Sequence, residues 1–384
     1  MKQKRILFYV HDGTGFGHLS RLCKIAEYLQ GDFSCLVVSG HRAMSYLVSE
    51  NCEYIHLPNI DSFKFHKADY YNRLPFLQSL GHSKIVEFRK NLMLSIVKEF
   101  KPDIIFIDYF PTGKYNEFEE IIINYKAIKY YILRGVVDSP MDLNNLDLPL
   151  NKNSLQILDK YYNRIIVTCD ETIYNVEKEY NFNEALMSKT IYVGFVSKPI
   201  SNDDILKIRN QRGLTYNDKW IVCSSGSGKY GELLIKECLR TAKHFPNVYF
   251  DIVRGSQSHE NWNSMAYDFE IYDKTRYLNN SSGLSYLHAS ADIVICHGGY
   301  NSLVESIEGD SYLIVIPNTG DQFINPQLLK EYHRILYTEK TSELRNSISF
   351  ALSDLSNKKN AKSSLNFNGL ENIKKQLICD INFY

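Results

Sequence analysis

Residues 291–322 read Ala-Asp-Ile-Val-Ile-Cys-His-Gly-Gly-Tyr-Asn-Ser-Leu-Val-Glu-Ser-Ile-Glu-Gly-Asp-Ser-Tyr-Leu-Ile-Val-Ile-Pro-Asn-Thr-Gly-Asp-Gln, and the reading of this stretch decides the fold. Asp292–Cys296 and Tyr312–Ile316 are short apolar runs of the kind buried in parallel sheets. Between them, His297-Gly298-Gly299 is a turn that allows close backbone approach to a ligand. Asn301 or Ser302 can cap a helix that ends near Gly309. A helix start after a glycine turn presents free N–H groups and the positive dipole end to an anion. Glu305 falls on the expected first turn, where a carboxylate can meet a ribose diol, although Ser302-Leu-Val-Glu305 is also a plain capping box that needs no ligand. Asp321-Gln322 follows one strand later, at the carboxyl-end edge where open α/β sheets bind ligands.

Taken together, His297, Gly298, Gly299, Glu305, Asp321 and Gln322 resemble the nucleotide-sugar signature of GT-B glycosyltransferases. The likeness is to family 28, which includes the N-acetylglucosaminyltransferase that forms lipid II and related natural-product enzymes. The resemblance implies two doubly wound, Rossmann-like parallel-sheet domains facing each other across a cleft. It also implies that the histidine-glycine turn faces the diphosphate, that Glu305 binds the ribose, and that Asp321 and Gln322 read donor-sugar hydroxyls.

The chain has 384 residues, enough for two domains with full cores. Its formal net charge is zero, which argues against wholesale binding of nucleic acid. A local basic patch, and with it a peripheral membrane contact, stays open, and the oligomeric state is not fixed. None of the scattered cysteines forms a Cys-x-x-Cys pair, so neither a zinc site nor a redox pair is indicated. The apolar run Ile6–Val10 is too short for a signal peptide, and no run approaches the ~20 apolar residues of a membrane span. A cytoplasmic protein is expected.

Ile6–Val10 reads as the first buried strand. His11-Asp12-Gly13-Thr14-Gly15-Phe16-Gly17-His18 is a glycine turn opening a helix to about Leu29. Its spacing is Gly-x-Gly-x-Gly, not that of a dinucleotide site, and no acidic residue ends the second strand, Phe33–Ser39. It resembles the Gly-Gly-Thr-Gly-Gly-His loop of family 28, with bulkier Asp12 and Phe16. The acceptor-side group is then His11, Gly13, Thr14, Gly15 and Gly17. His18, at the helix start, is expected to be a neutral imidazole able to take a hydroxyl proton, with local packing or capping as the competing reading. Asp108, just past the strand Ile104–Ile107, can orient a histidine, bind acceptor or cap the turn before Pro111. Residues 58–82 read as a long aromatic and cationic loop, either an acceptor flap or a self-packed loop.

Pro199 and the polar Ser201–Asp204 read as a linker, which sets domains at 1–196 and 197–366. The tail 367–384 carries an amphipathic helix that, in GT-B enzymes, returns to the first domain. In the second domain, Ser224-Ser225-Gly226-Ser227-Gly228 follows a strand and forms either an anion nest or a flexible turn. It resembles the Gly-Gly-Ser loop that meets the donor diphosphate. Arg254 ends the next strand and can bring a cation to the nucleotide. Tyr277–Leu278 is read as a loop near the nucleobase.

The resemblance implies transfer of a sugar from a nucleoside diphosphate sugar, uridine rather than thymidine, to a hydroxyl-bearing small-molecule or lipid acceptor. Inversion at the anomeric carbon is expected, with His18 and Asp108 as the catalytic pair. The donor set is Ser224, Ser225, Gly226, Ser227, Arg254, His297, Gly298, Gly299, Asn301, Ser302, Glu305, Asp321 and Gln322. No Asp-x-Asp occurs, so neither a metal nor a further cofactor is expected. The rivals are a UDP-sugar hydrolase, a UDP-N-acetylglucosamine 2-epimerase, for which Asp321 with Asp12 or Asp108 would supply carboxylates, and a non-catalytic nucleotide-sugar-binding subunit.

Overall fold

A computed structural model describes residues 3–13, 15–41, 43–59, 75–137, 148–226, 231–255, 274–278, 283–356 and 364–383. The chain divides into two compact units, Met1–Val196 with Asn368–Tyr384, and Ser197–Phe367. Each is built on one parallel sheet.

The first sheet contains β1 (Arg5–Val10), β2 (Ser34–Ser39), β3 (Glu53–His56), β4 (Ile104–Asp108), β5 (Ile128–Arg134), β6 (Arg164–Thr168) and β7 (Thr190–Tyr192). Their order is β3-β2-β1-β4-β5-β6-β7. The order reverses between β1 and β4, and Val10 pairs with Asp108 at that switch point. Alternate residues Ile6, Phe8 and Val10 of β1 and Ile104 and Phe106 of β4 point to one face, as the two-residue strand period requires. That face is covered by Leu19, Leu22, Ile25, Ala26 and Leu29 of the helix Gly17–Leu29. The tail helix Gly369–Phe383 adds Leu370, Ile373 and Leu377 to the same core. Asp380 of the tail accepts hydrogen bonds from the Tyr130 hydroxyl and the Arg164 guanidinium, which fixes the helix in register on β5 and β6.

The second sheet contains β8 (Lys219–Ser224), β9 (Val248–Val253), β10 (Thr275–Leu278), β11 (Ile293–Cys296), β12 (Tyr312–Val315) and β13 (Ile335–Tyr337). Their order, β10-β9-β8-β11-β12-β13, is the doubly wound order with its switch point between β8 and β11. Helices Glu232–Ala242 and Leu344–Asp354 close one face through Leu234, Ile235, Cys238, Leu344 and Ile348.

Three local expectations change. The polar run at Ser201–Asp204 starts a helix, Asn202–Gln211, rather than forming a slack linker. Ser201 and Asp204 make a reciprocal capping box that satisfies otherwise orphaned N–H groups. Tyr277–Leu278 belongs to the edge strand β10, paired with Ile252 and Val253, and is not a loop. The helix before β4 begins at Pro75, inside the stretch read as a loop, and bends at Gly81, whose φ of 70° no helix accommodates. Residues 60–74 of that proposed flap lie outside the described residues.

Candidate active site

The first unit gathers its chemistry at the β1/β4 switch point. His18 is the second residue of the helix Gly17–Leu29 and Asp108 is the last of β4. His18 Nδ1 lies 2.9 Å from Asp108 Oδ1. A carboxylate only accepts, so Nδ1 carries the proton and Nε2 is left as the basic nitrogen. Arg21, one helical turn beyond His18, donates to both Asp108 oxygens at 2.9 and 2.8 Å. Burial works to raise the Asp108 carboxyl, but Arg21 and His18 outweigh it and hold it down at about 2. Burial lowers His18 from the usual histidine value of 6.5, with Asp108 opposing. The arrangement is an anionic carboxylate, charge-balanced by arginine, behind a neutral imidazole. Asp108 therefore orients a histidine. The turn before Pro111 is closed by the backbone instead, Phe110 N–H donating to Asp108 C=O.

Aromatic groups pack behind this pair. Tyr109 has φ of 73°, a costly conformation for a bulky residue. Its carbonyl accepts from the Tyr131 hydroxyl and its N–H donates to Ile132 C=O, so both sides of the peptide are held. The Tyr109 ring lies 4.4 Å from the His18 ring and 5.3 Å from that of His11. The Arg134 guanidinium is 5.7 Å from the Tyr109 ring centre. His11 is buried and its pKa falls well below 6.5, chiefly by burial and then by His18. It is a second neutral imidazole, 4.9 Å from the His18 ring, and not a competing cation.

The remaining acceptor-side residues separate. Gly13 closes the turn, its N–H donating to His11 C=O, and Gly15 C=O accepts from His41 Nε2 at 3.2 Å. Gly17 opens the helix. Thr14 lies outside the described residues. Asp12 is turned inward, accepting from Gly40 N–H and from both terminal nitrogens of Arg89. Arg89 also pairs with Glu117, which accepts from Tyr9. This buried network staples the Pro75–Phe100 helix to the sheet and takes Asp12 out of the sugar-facing carboxylates.

In the second unit, the turn after β11 differs from its expected capping. The helix runs Tyr300–Glu308 with Gly299 as its N-cap, so Asn301 and Ser302 lie inside it and no side chain caps it. Glu305 consequently falls on the second turn, and the Ser302/Glu305 capping box does not form. The two glycines do different work. Gly298 has φ of +83°, and a Cβ there would lie 2.7 Å from Val315 Cγ1 and 3.0 Å from Pro326 Cγ. Gly299 has nothing within 4 Å of its would-be Cβ, so space is open beside it. His297 donates from Nδ1 to Ile316 C=O at 2.7 Å and is held neutral by burial, its backbone partner opposing.

The loop after β8 also turns inward at its start. Ser224 is buried with Oγ 2.8 Å from His288 Nε2, and the Ser225 hydroxyl donates to Arg254 C=O. Both hydroxyls are thus engaged by protein partners. Gly226, at φ of +62°, is the exposed described member, and Ser227 and Gly228 lie outside the described residues. Arg254, just past β9, is beside Tyr277, whose hydroxyl is raised by burial against the opposing effect of Arg254. Glu305 is mostly buried, its side chain 9% exposed, with Oε2 3.1 Å from His288 Nδ1. Asp321 accepts from Asn325 at 3.0 Å, and Gln322 Oε1 accepts from the N–H groups of Asn318 and Thr319. Their loop is thereby pinned at the β12 end. Arg21, Tyr109, Arg134 and His288 were not singled out from the sequence. Only Arg21 carried a usable signal, its i,i+3 spacing from His18. Among the described residues no group of three or more His, Cys, Asp or Glu is arranged to hold a metal, and no helix is long and apolar enough to cross a membrane.

Comparison with known proteins gives likenesses in family and fold. Residues 222–377 match the glycosyltransferase family 28 C-terminal domain. A UDP-glycosyltransferase 79A6 of Glycine max is 38% identical over 42 residues, which is 11% of this chain and 9% of that protein. The spinosyn rhamnosyltransferase SpnG, solved with thymidine diphosphate, superposes with a TM-score of 0.60 at 13% identity, covering 97% of this chain and 100% of that one. The UDP-GlcNAc 2-epimerase from Methanocaldococcus jannaschii gives a TM-score of 0.61 at 10% identity, covering 99% and 100%. These two likenesses show a shared fold of two Rossmann-like units. The family 28 likeness thus covers residues 222–377, and the two parallel sheets together have the GT-B fold.

Proposed function

We propose that the protein moves a sugar from a UDP-linked donor to the hydroxyl of a small-molecule or lipid acceptor, with inversion and without a metal ion. The observation that carries this reading is the His18–Asp108–Arg21 array. His18 Nε2 takes the acceptor hydroxyl proton as the oxygen attacks the anomeric carbon. The bond from that carbon to the diphosphate breaks, and its electron pair leaves on the diphosphate. Asp108 stabilises the imidazolium that forms, and Arg21 keeps the carboxylate from taking the proton itself. Proton transfer of this kind contributes roughly 10²- to 10⁴-fold.

In the second unit the donor diphosphate would meet the N–H groups at the start of the Tyr300–Glu308 helix, beside open Gly299. Oriented donors aimed at developing charge are often the largest catalytic contribution. Glu305 would accept from the ribose hydroxyls, which favours uridine over a deoxyribose nucleotide. Asp321 and Gln322 would meet the sugar. The single side-chain cation of this set is Arg254.

The shared fold keeps a UDP-sugar 2-epimerase as the second reading. Asp12, tied to Arg89, is lost to that chemistry. Sugar-labelled UDP donors incubated with and without a panel of hydroxylated small molecules and lipids separate the readings. The transferase consumes donor only with acceptor and yields an inverted glycoside. A new UDP-sugar formed without acceptor would establish the epimerase, and free sugar alone the hydrolase.

A further inference from the structure

Ser224, His288 and Glu305 come from three separate elements: the end of β8, the helix Leu284–Ser290 and the helix Tyr300–Glu308. Their side chains form one continuous line. Ser224 Oγ is 2.8 Å from His288 Nε2, and His288 Nδ1 is 3.1 Å from Glu305 Oε2. Since a carboxylate only accepts, His288 donates from Nδ1, and its Nε2 accepts a hydrogen bond from the Ser224 hydroxyl. One tautomer satisfies both ring nitrogens, and hydrogen bonds aligned in one direction strengthen each other.

The order serine, histidine, carboxylate is also that of a hydrolytic triad. Here it cannot work as one: Ser224 is 1% exposed, and its hydroxyl is spent on His288 inside the unit. The least buried member is Glu305, 8% exposed against 1% for Ser224 and His288, so exposure along the line rises toward the carboxylate. The helices that carry His288 and Glu305 are locked in place. A Cβ on Gly309, the C-cap of the second helix, would fall 2.0 Å from Ala289 C=O, and Ser311 Oγ donates to the His288 carbonyl at 2.6 Å.

We propose that His288 is a positioning residue for donor recognition, holding the Glu305 carboxylate in the rotamer that reads the ribose hydroxyls. A glutamate side chain released from such a partner samples several rotamers, and re-ordering it on binding costs affinity. A carboxylate has about four acceptor positions, and the bond to His288 takes up one of them. The inference rests on the assignment of Glu305 to the ribose, and the experiment keeps the two apart.

The test compares binding of UDP and 2′,3′-dideoxy-UDP by calorimetry, because a merely structural histidine would weaken both equally. The wild type is expected to prefer UDP by about tenfold or more, the worth of hydrogen bonds to a charged group. Glu305→Ala should bring the preference to near unity. His288→Leu should do the same, with no further loss in the double variant, and His288→Gln, which can still donate to Glu305, should keep more preference than His288→Leu. A folded His288→Leu with wild-type preference overturns the role of His288 while leaving Glu305 intact. A wild-type preference in Glu305→Ala overturns the ribose assignment itself, and this inference with it. If His288→Leu does not fold, Ser224→Ala carries the test: it frees the imidazole to rotate and should lower the preference, and an unchanged preference overturns the proposal.

Discussion

His18 Nδ1 lies 2.9 Å from Asp108 Oδ1, a distance that fixes which imidazole nitrogen carries the proton. The helix Gly17–Leu29 and β4 meet there only because the strand order reverses between β1 and β4. Replacing Asp108 by Asn keeps the shape but lets an amide N–H donate, which favours the wrong tautomer. The turnover of Asp108→Asn is expected to fall by about 10²- to 10⁴-fold. Nucleotide-induced thermal stabilisation should be unchanged. Measured turnover within threefold of the wild type would remove Asp108 from the mechanism.

The same two groups set the pH dependence. Burial lowers His18 below 6.5, so the acid limb of turnover should fall below that value, with a plateau above it. Stability follows the same direction. A neutral buried histidine loses stability as pH falls below its unfolded value, because the unfolded chain binds the proton first. Asp108, depressed from 3.8 to about 2, contributes about 2 kcal/mol that is present above pH 3.8 and lost as pH falls toward 2. Urea denaturation at stepped pH should show stability rising from pH 4 to 7. A flat profile would contradict the burial of His18 and His11 in neutral form.

Gly298 and Gly299 are adjacent and should respond oppositely. Gly298→Ala meets both a positive φ and Val315 and should cost about 2–4 kcal/mol, lowering the melting temperature. Gly299, at φ of −65° with open space, should accept Ala with little change in stability and a marked loss of UDP affinity. Equal melting temperatures for the two variants would refute this division.

Arg89 joins two buried carboxylates, Asp12 and Glu117. Its removal leaves both buried without their cation. Arg89→Leu is expected to destabilise the protein by about 3–5 kcal/mol in denaturant titration. A loss under 1 kcal/mol would show that the network is not a staple.

Much of this was legible in the sequence because it is local. The buried runs at Ile6–Val10, Ile104–Ile107 and Asp292–Cys296 announce central strands by their unbroken apolar character, and β1 and β11 carry their glycine turns with them. The edge strands β10 and β13 are short and half-exposed, so they lack that signature. Helix caps were misplaced where polar side chains imitate them: Asn301 and Ser302 resemble caps, yet Gly299 starts the helix without any side-chain bond. Contacts between distant segments were the least legible. Nothing local to His288 indicates that Ser224 and Glu305 will bracket it, and nothing near Asp12 announces Arg89.

The most direct measurement is the rate of UDP release from a UDP-sugar with acceptor in His18→Ala, beside the UDP-induced thermal shift of the same variant. The account expects the shift of the wild type and a rate reduced by at least a hundredfold. A His18→Ala protein that binds UDP normally and transfers sugar at close to the wild-type rate would contradict it.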